Sequence, residues 1–159
     1  MAVLPIEKGA DNEILRTVST KVKAADKKLG KFFDDMRDTM FAAEGIGLAA
    51  PQVSKNIRVV VCRFNNGTSH ELIVDMINPV ITEHSDDMSV HEEGCLSLPG
   101  LWDKVARYNS LTVKYLDRKG REFVLKLKGL NARIVQHELD HIDGMLYIDR
   151  VKEQAMGKK

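Results

Sequence analysis

Cysteine is scarce in this 159-residue chain: only Cys62 and Cys95 occur, with no CxxC pairing, so neither a disulfide framework nor a zinc ribbon organises it. No run approaches the ~18 consecutive apolar residues of a membrane span. The N-terminus, Met1-Ala2-Val3-Leu4-Pro5-Ile6-Glu7-Lys8, also lacks a basic region followed by a long apolar stretch. The chain therefore reads as cytoplasmic, with no membrane partner. Excess charge is missing too: 24 Lys and Arg against 23 Asp and Glu leave a formal +1, without the basic signature of a specific nucleic-acid binder. Repeats and Pro/Gly/Ser linkers are absent, which implies a single domain over residues 1–150, with 151–159 as a short flexible C-terminal tail. A chain of this length buries an adequate core without disulfides or structural metals, so any metal it holds is expected to be catalytic.

The hydrophobic pattern outlines the fold. From about Ala25 to Ala43, the apolar residues Leu29, Phe32, Phe33, Met36 and Met40 follow helical spacing, and Gly45 stands just beyond the expected end. Ile57 to Cys62 reads as a buried strand, and Leu72 to Ile77 as another that stops at Asn78-Pro79. Leu111, Val113 and Tyr115 alternate with polar residues, Asp117-Arg118-Lys119-Gly120 forms a turn, and Phe123, Leu125 and Leu127 alternate again. That is an antiparallel hairpin. A last helix is expected from near Gly129, with Asn131 as N-cap and Gly144 as terminator. The class is α+β: antiparallel sheets packed around a C-terminal helix.

That helix carries His137-Glu138-Leu139-Asp140-His141. Residues four apart share a face and rise by ~6 Å, so His137 and His141 can aim both imidazoles at one divalent metal. Leu130 and Ile134 extend the same face, which is expected to be buried. Glu138 lies beside it, within reach of a water on the metal, where a general base is needed. Catalytic sites of this kind use three protein ligands. Tyr147 occupies the place of the third metzincin histidine, so that subclass is excluded. Upstream remain His70, His84, His91, Cys62, Cys95, Glu92 and Glu93. Cys62 ends a strand-like run and reads as a buried inert thiol. Cys95 lies between Gly94 and Pro99, in a backbone of fixed shape, and leads the candidates ahead of His91.

Three separated segments resemble the peptide deformylase family: Gly45-Ile46-Gly47-Leu48-Ala49-Ala50-Pro51-Gln52, Glu93-Gly94-Cys95-Leu96-Ser97, and Gln136-His137-Glu138-Leu139-Asp140-His141-Ile142-Asp143-Gly144. The similarity extends from Leu4-Pro5-Ile6 to about Asp149. It implies Cys95, His137 and His141 as metal ligands, with Fe(II) the foremost ion and Zn, Ni or Co as alternatives. It implies Glu138 as the acid/base, with the Gln52 side-chain amide and the Leu96 backbone N–H stabilising the developing oxyanion. The activity implied is hydrolysis of the formyl group from formyl-methionine on nascent polypeptides, releasing formate. Gly45, Ile46 and Gly47 would pair with the peptide as an added strand, and Ile46, Leu130 and Ile134 would line a methionine pocket, although the last three suit a core equally. Arg107 fits the family pattern. Trp102 stands where many relatives carry a basic residue. Some relatives continue into a helix used at the ribosome, whereas this chain stops soon after the third segment. The expected partners are formyl-methionyl nascent peptides and, transiently and by another route, the ribosome.

Overall fold

The computed structural model describes residues 2–157. Seven strands and four helices follow one another as α1 (Glu13–Arg16), α2 (Lys27–Ala42), β1 (Gly47–Ala49), β2 (Val59–Phe64), β3 (Leu72–His84), β4 (Met88–Cys95), β5 (Leu98–Tyr108), β6 (Ser110–Leu116), β7 (Glu122–Lys128), α3 (Gly129–Ile142) and α4 (Tyr147–Ala155). Five strands form one antiparallel sheet in the order β1-β2-β3-β6-β7, and β4 and β5 form a separate hairpin. The α+β class with antiparallel sheets around the motif helix is therefore observed. One core joins α3 to the large sheet through Val60, Cys62, Val113, Val135, Leu139 and Ile142. A second seats α2 on the other face through Phe33, Met36, Met40, Val59, Val61 and Ile77. Alternation along β2 explains the division, because successive side chains point to opposite faces and both faces are covered. Among the described residues no helix is long and apolar enough to cross a membrane.

Helix α2 starts where its sequence provides a cap: the Asp26 carboxylate accepts the Leu29 N–H at 2.8 Å. It ends where expected, shortly before Gly45, although another residue turns the chain. Glu44, not Gly45, takes the left-handed conformation (φ +55°), while the Gly45 N–H donates to the Met40 carbonyl at 2.9 Å. Gly45 meets a steric demand instead, since a Cβ there would lie 3.0 Å from Leu96 Cδ1. The strand expected to stop at Asn78-Pro79 runs on to His84. A register shift between Ile77 and Val80 absorbs the proline, which has no N–H to give the ladder. Asn78 adopts φ +51° and its side chain exchanges two 2.9 Å hydrogen bonds with the Val22 backbone.

The expected helix cap at Asn131 is also corrected: α3 begins at Gly129, and Asn131 instead bonds Asn65 across the fold at 2.9 Å. Gly144 does end the helix at φ +74°, and a Cβ there would lie 2.7 Å from the Arg16 carbonyl oxygen. The tail assigned to 151–159 is helical through Ala155; Lys158 and Lys159 lie outside the described residues. Side-chain contacts account for this order. Tyr147 and Leu146 are buried against Leu98 and Val105, Gln154 accepts the Ala106 N–H at 2.8 Å, and Arg150 grips Asp140 at 2.8 Å.

Candidate active site

One turn of α3 separates His137 from His141, and their ring centroids lie 5.1 Å apart. Cys95, the last residue of β4, faces them. One donor atom from each of Cys95, His137 and His141 falls within 4.8 Å of the other two. His141 Nε2 is 3.3 Å from Cys95 Sγ, and the Ser97 N–H points to the same sulfur at 3.4 Å. A thiol and two imidazoles converging at this spacing are a donor set that fits a soft or borderline divalent ion. Two of the other upstream candidates stay apart from this cluster. Cys62 is a fully buried thiol in β2, pushed up in pKa first by burial, and His84 stacks on Tyr108 with centroids 3.7 Å apart.

Glu93, a candidate ligand on its sequence position, stands behind the cluster: its Oε1 lies 2.8 Å from His137 Nδ1, which turns the other ring nitrogen toward Cys95. Arg107 clamps Glu93 through two 3.0 Å bonds and reaches Asp140 at 2.6 Å, while Arg133 reaches Glu93 at 2.6 Å. Burial acts to raise the Glu93 pKa, but hydrogen bonds from His137 and Arg107 outweigh it and hold the carboxyl well below its ordinary range. The sequence contained a signal for this network, since Arg133 stands one helical turn before His137 on a buried stripe and requires a carboxylate there. Removing one partner from such a buried network strands the others. Arg107→Met is accordingly expected to destabilise the protein by about 3–5 kcal/mol in urea titration.

Glu138 is buried and its Oε2 has no hydrogen-bond partner. Burial pushes its pKa up to about 7, with Glu93 and Asp140 acting in the same direction and His137 and Arg107 opposing. Burial also tends to lower His137, yet the adjoining Cys95 and Glu93 carry it up to about 10. His141 lies well below its ordinary value, first through burial and then through the positive His137. Gly47 makes room for the carboxyl: a Cβ at this position would come within 2.9 Å of Glu138 Cγ and Cδ. Gly47→Ala is expected to displace that side chain and lower kcat by about 100-fold, while the melting temperature changes by only a few degrees. Steady-state kinetics beside a thermal melt check both parts.

Gln52 ends on the same cluster. Its Oε1 accepts the Ala49 N–H at 2.9 Å, which fixes the amide orientation, and its Nε2 lies 3.2 Å from Ser97 Oγ and 3.7 Å from Cys95 Sγ. Leu96 follows Cys95 directly in the turn between β4 and β5. Gly45, Ile46 and Gly47 line one wall of a cleft of about 470 Å³ whose floor holds Cys95, His137 and Glu138. Strand β1 is the outer strand of its sheet and pairs only with β2. Ile134 is buried at the cleft and fits the expected inward face, but Leu130 is 56% exposed, because the first turn of α3 stands at the mouth rather than under the sheet. Sequence reasoning assigned no site role to Arg133 or Asp140.

The family model for polypeptide deformylase matches residues 3–156. A peptide deformylase of Caldicellulosiruptor bescii is 45% identical over 141 residues, covering 89% of this chain and 81% of that one. Among solved structures, a class I type b peptide deformylase from Acinetobacter baumannii aligns with a TM-score of 0.89 at 38% identity, over 94% of this chain and 99% of that one. Peptide deformylase from Thermotoga maritima aligns at 0.88 and 37%, over 94% and 98%. Fold, site geometry and sequence similarity over almost the whole chain agree, and the chain belongs to the polypeptide deformylase family.

Proposed function

We propose that the protein hydrolyses the formamide of formyl-methionine at the start of nascent peptides, with Cys95, His137 and His141 holding a divalent metal and Glu138 moving the proton. The observation that carries this reading is the convergence of those three donors beside a buried carboxyl whose pKa is about 7. When bound, the metal supplies Lewis acidity, which lowers the pKa of a water and polarises the formyl oxygen. We infer iron(II) as the working ion, with zinc, nickel and cobalt as substitutes, since one thiolate and two imidazoles accommodate all four.

The protein's own groups do the rest. Glu138 takes a proton from the attacking water, and its raised pKa matches it to neutral pH. Attack on the formyl carbon builds negative charge on the formyl oxygen. The Gln52 Nε2 and the Leu96 backbone N–H are the donors for that charge, with Gln52 oriented in advance by Ala49. The C–N bond then breaks, Glu138 returns its proton to the departing amine, and formate leaves with the carbonyl carbon. The free edge of β1 pairs with the peptide backbone, so main-chain hydrogen bonds hold the substrate at many sequences. Ile46, Leu130 and Ile134 receive the methionine side chain on the apolar side of the cleft. The test is formate release from a formyl-Met peptide by protein loaded anaerobically with iron(II). Stoichiometric formate and a free amine are expected, and their absence would overturn the reading.

A further inference from the structure

The formal charge of +1 conceals an uneven distribution: residues 20–31 hold five lysines and one aspartate, a local +4, so the rest of the chain is net negative. Lys21, Lys23, Lys27, Lys28 and Lys31 are all exposed, and so is Lys55 in a neighbouring loop. Three contacts fix these segments side by side. Thr20 bridges Ile57, the Asn78 side chain bonds both backbone groups of Val22 at 2.9 Å, and Lys55 Nζ stands 4.6 Å from the centre of the Phe32 ring in α2. Every arginine of the chain is ion-paired with a carboxylate. Among the described residues, none of these six lysines is. The acids around them are engaged elsewhere or lie further off. Asp26 caps α2, Asp34 is held by Arg118, Asp35 accepts the Ala2 N–H, Glu7 accepts the Ser54 hydroxyl, and Asp38 stands two helical turns beyond Lys31.

This charge is held against the stability of the helix that carries it. Helix α2 has no acidic residue in its first turn and no basic residue in its last, the reverse of the arrangement that steadies a helix dipole. Asp26 already fills the cap, so the lysines and not open helix amides make this end positive. Among residues 20–31 no large apolar side chain is exposed, since Val22 and Leu29 pack into the core. The surface therefore lacks both the apolar centre of a protein interface and the wedge that a membrane-binding segment inserts. We propose that these six lysines form a docking surface for the phosphate backbone of RNA, engaged without regard to base sequence. Lys27 and Lys31 are one turn apart, about 6 Å in rise, which suits neighbouring phosphates of one strand. A nascent peptide, the substrate proposed above, is joined to RNA during its synthesis, and the choice of RNA over other phosphates rests on that reading. Lys27 lies about 24 Å, the length of α2, from Glu44 at the cleft, so RNA held here leaves the cleft open to peptide.

The test measures binding of a dye-labelled 20-base-pair RNA hairpin to the full chain by fluorescence anisotropy between 50 and 200 mM salt. A Kd of about 1–100 µM is expected near 100 mM, weakening about 10- to 100-fold across the range, as two to four lysine–phosphate contacts require. Lys21→Ala with Lys23→Ala, and Lys27→Glu with Lys28→Glu, should each weaken binding about 5-fold or more and flatten the salt dependence, whereas Lys126→Ala with Lys128→Ala on β7 should change it less than about twofold. The two glutamates should also raise the melting temperature by a few degrees, so their loss of binding cannot be unfolding. No binding at 50 mM salt, an equal loss from the β7 pair, tighter binding of a DNA hairpin of the same sequence, or stronger retention on vesicles containing 30% phosphatidylserine would overturn the proposal. Formate release is measured apart from this. If the formyl-Met peptide yields none while the RNA results hold, the activity reading fails and the phosphate surface stands.

Discussion

Glu138→Gln is expected to lower deformylation by a factor of about 10²–10⁴ while one equivalent of metal remains bound. Glutamine keeps the shape of the side chain and its place against Gly47 but neither accepts nor returns the proton. None of the three converging donors is altered, so metal analysis and kinetics separate the two roles. In the metal-stripped protein, stability adds a check of opposite sign. The Glu138 pKa is about 7 when folded against an ordinary 4.5. Below pH 4.5 both states are protonated and the group contributes nothing. As pH rises from 4.5 to 7 the unfolded chain releases the proton while the folded one retains it, and stability falls by about 3 kcal/mol. The glutamine variant lacks this loss. Its metal-free form should equal wild type in urea near pH 4.5 and exceed it above pH 7, and matching curves across that range would contradict the buried acid.

Cys95→Ala is expected to remove the metal itself, with affinity falling more than about 100-fold and activity dropping below about 1% of wild type. Two imidazoles from one helix remain, without the anionic donor that joins them to the hairpin. Metal analysis after desalting reads the first effect and formate release the second. Retention of full stoichiometry by the variant would exclude the thiol as a ligand. Wild-type affinity should also rise with pH. His137 carries a proton up to about pH 10 when no metal is present, and a ligand nitrogen must lose it on binding. Proton release on metal addition, measured in weakly buffered solution near pH 7, is expected from the same competition.

What the sequence disclosed about this site depended on whether the chemistry ran along the chain or across it. His137, Glu138 and His141 lie on one helix, so their spacing alone predicted a shared face. Cys95 is 42 residues from His137, and residue spacing left it one candidate among several until the deformylase resemblance singled it out. The role of Glu93 was hidden for the same reason: a carboxylate that orients a histidine looks, in one dimension, like one that binds the metal. The β4–β5 hairpin lacked a legible alternation because half of β4 is exposed and only Glu93 in it is buried. The Asn78-Pro79 break and the loose tail were misread where tertiary contacts override local signals, through the side-chain bonds of Asn78 to Val22 and of Gln154 to Ala106. Gly45 shows the converse, a glycine placed as expected that serves packing against Leu96 rather than chain reversal.

Hairpin β4–β5 is not hydrogen-bonded into the large sheet. Two of its ties to α3 at the site are the ion that Cys95 and the two histidines would share in the proposed holoenzyme and the buried charges joining Glu93 and Arg107 to Arg133 and Asp140; Gln136 adds paired 3.0 Å bonds to the Tyr108 backbone. The first two answer to different agents. A chelator undoes the first, strong acid undoes the second by protonating Glu93, and added salt loosens neither because ions do not screen pairs sealed from water. The wall on which Trp102 stands is thus held in part by ties that chelation and acid release separately, and a protease presented with metal-stripped enzyme should find its first cut along that seam.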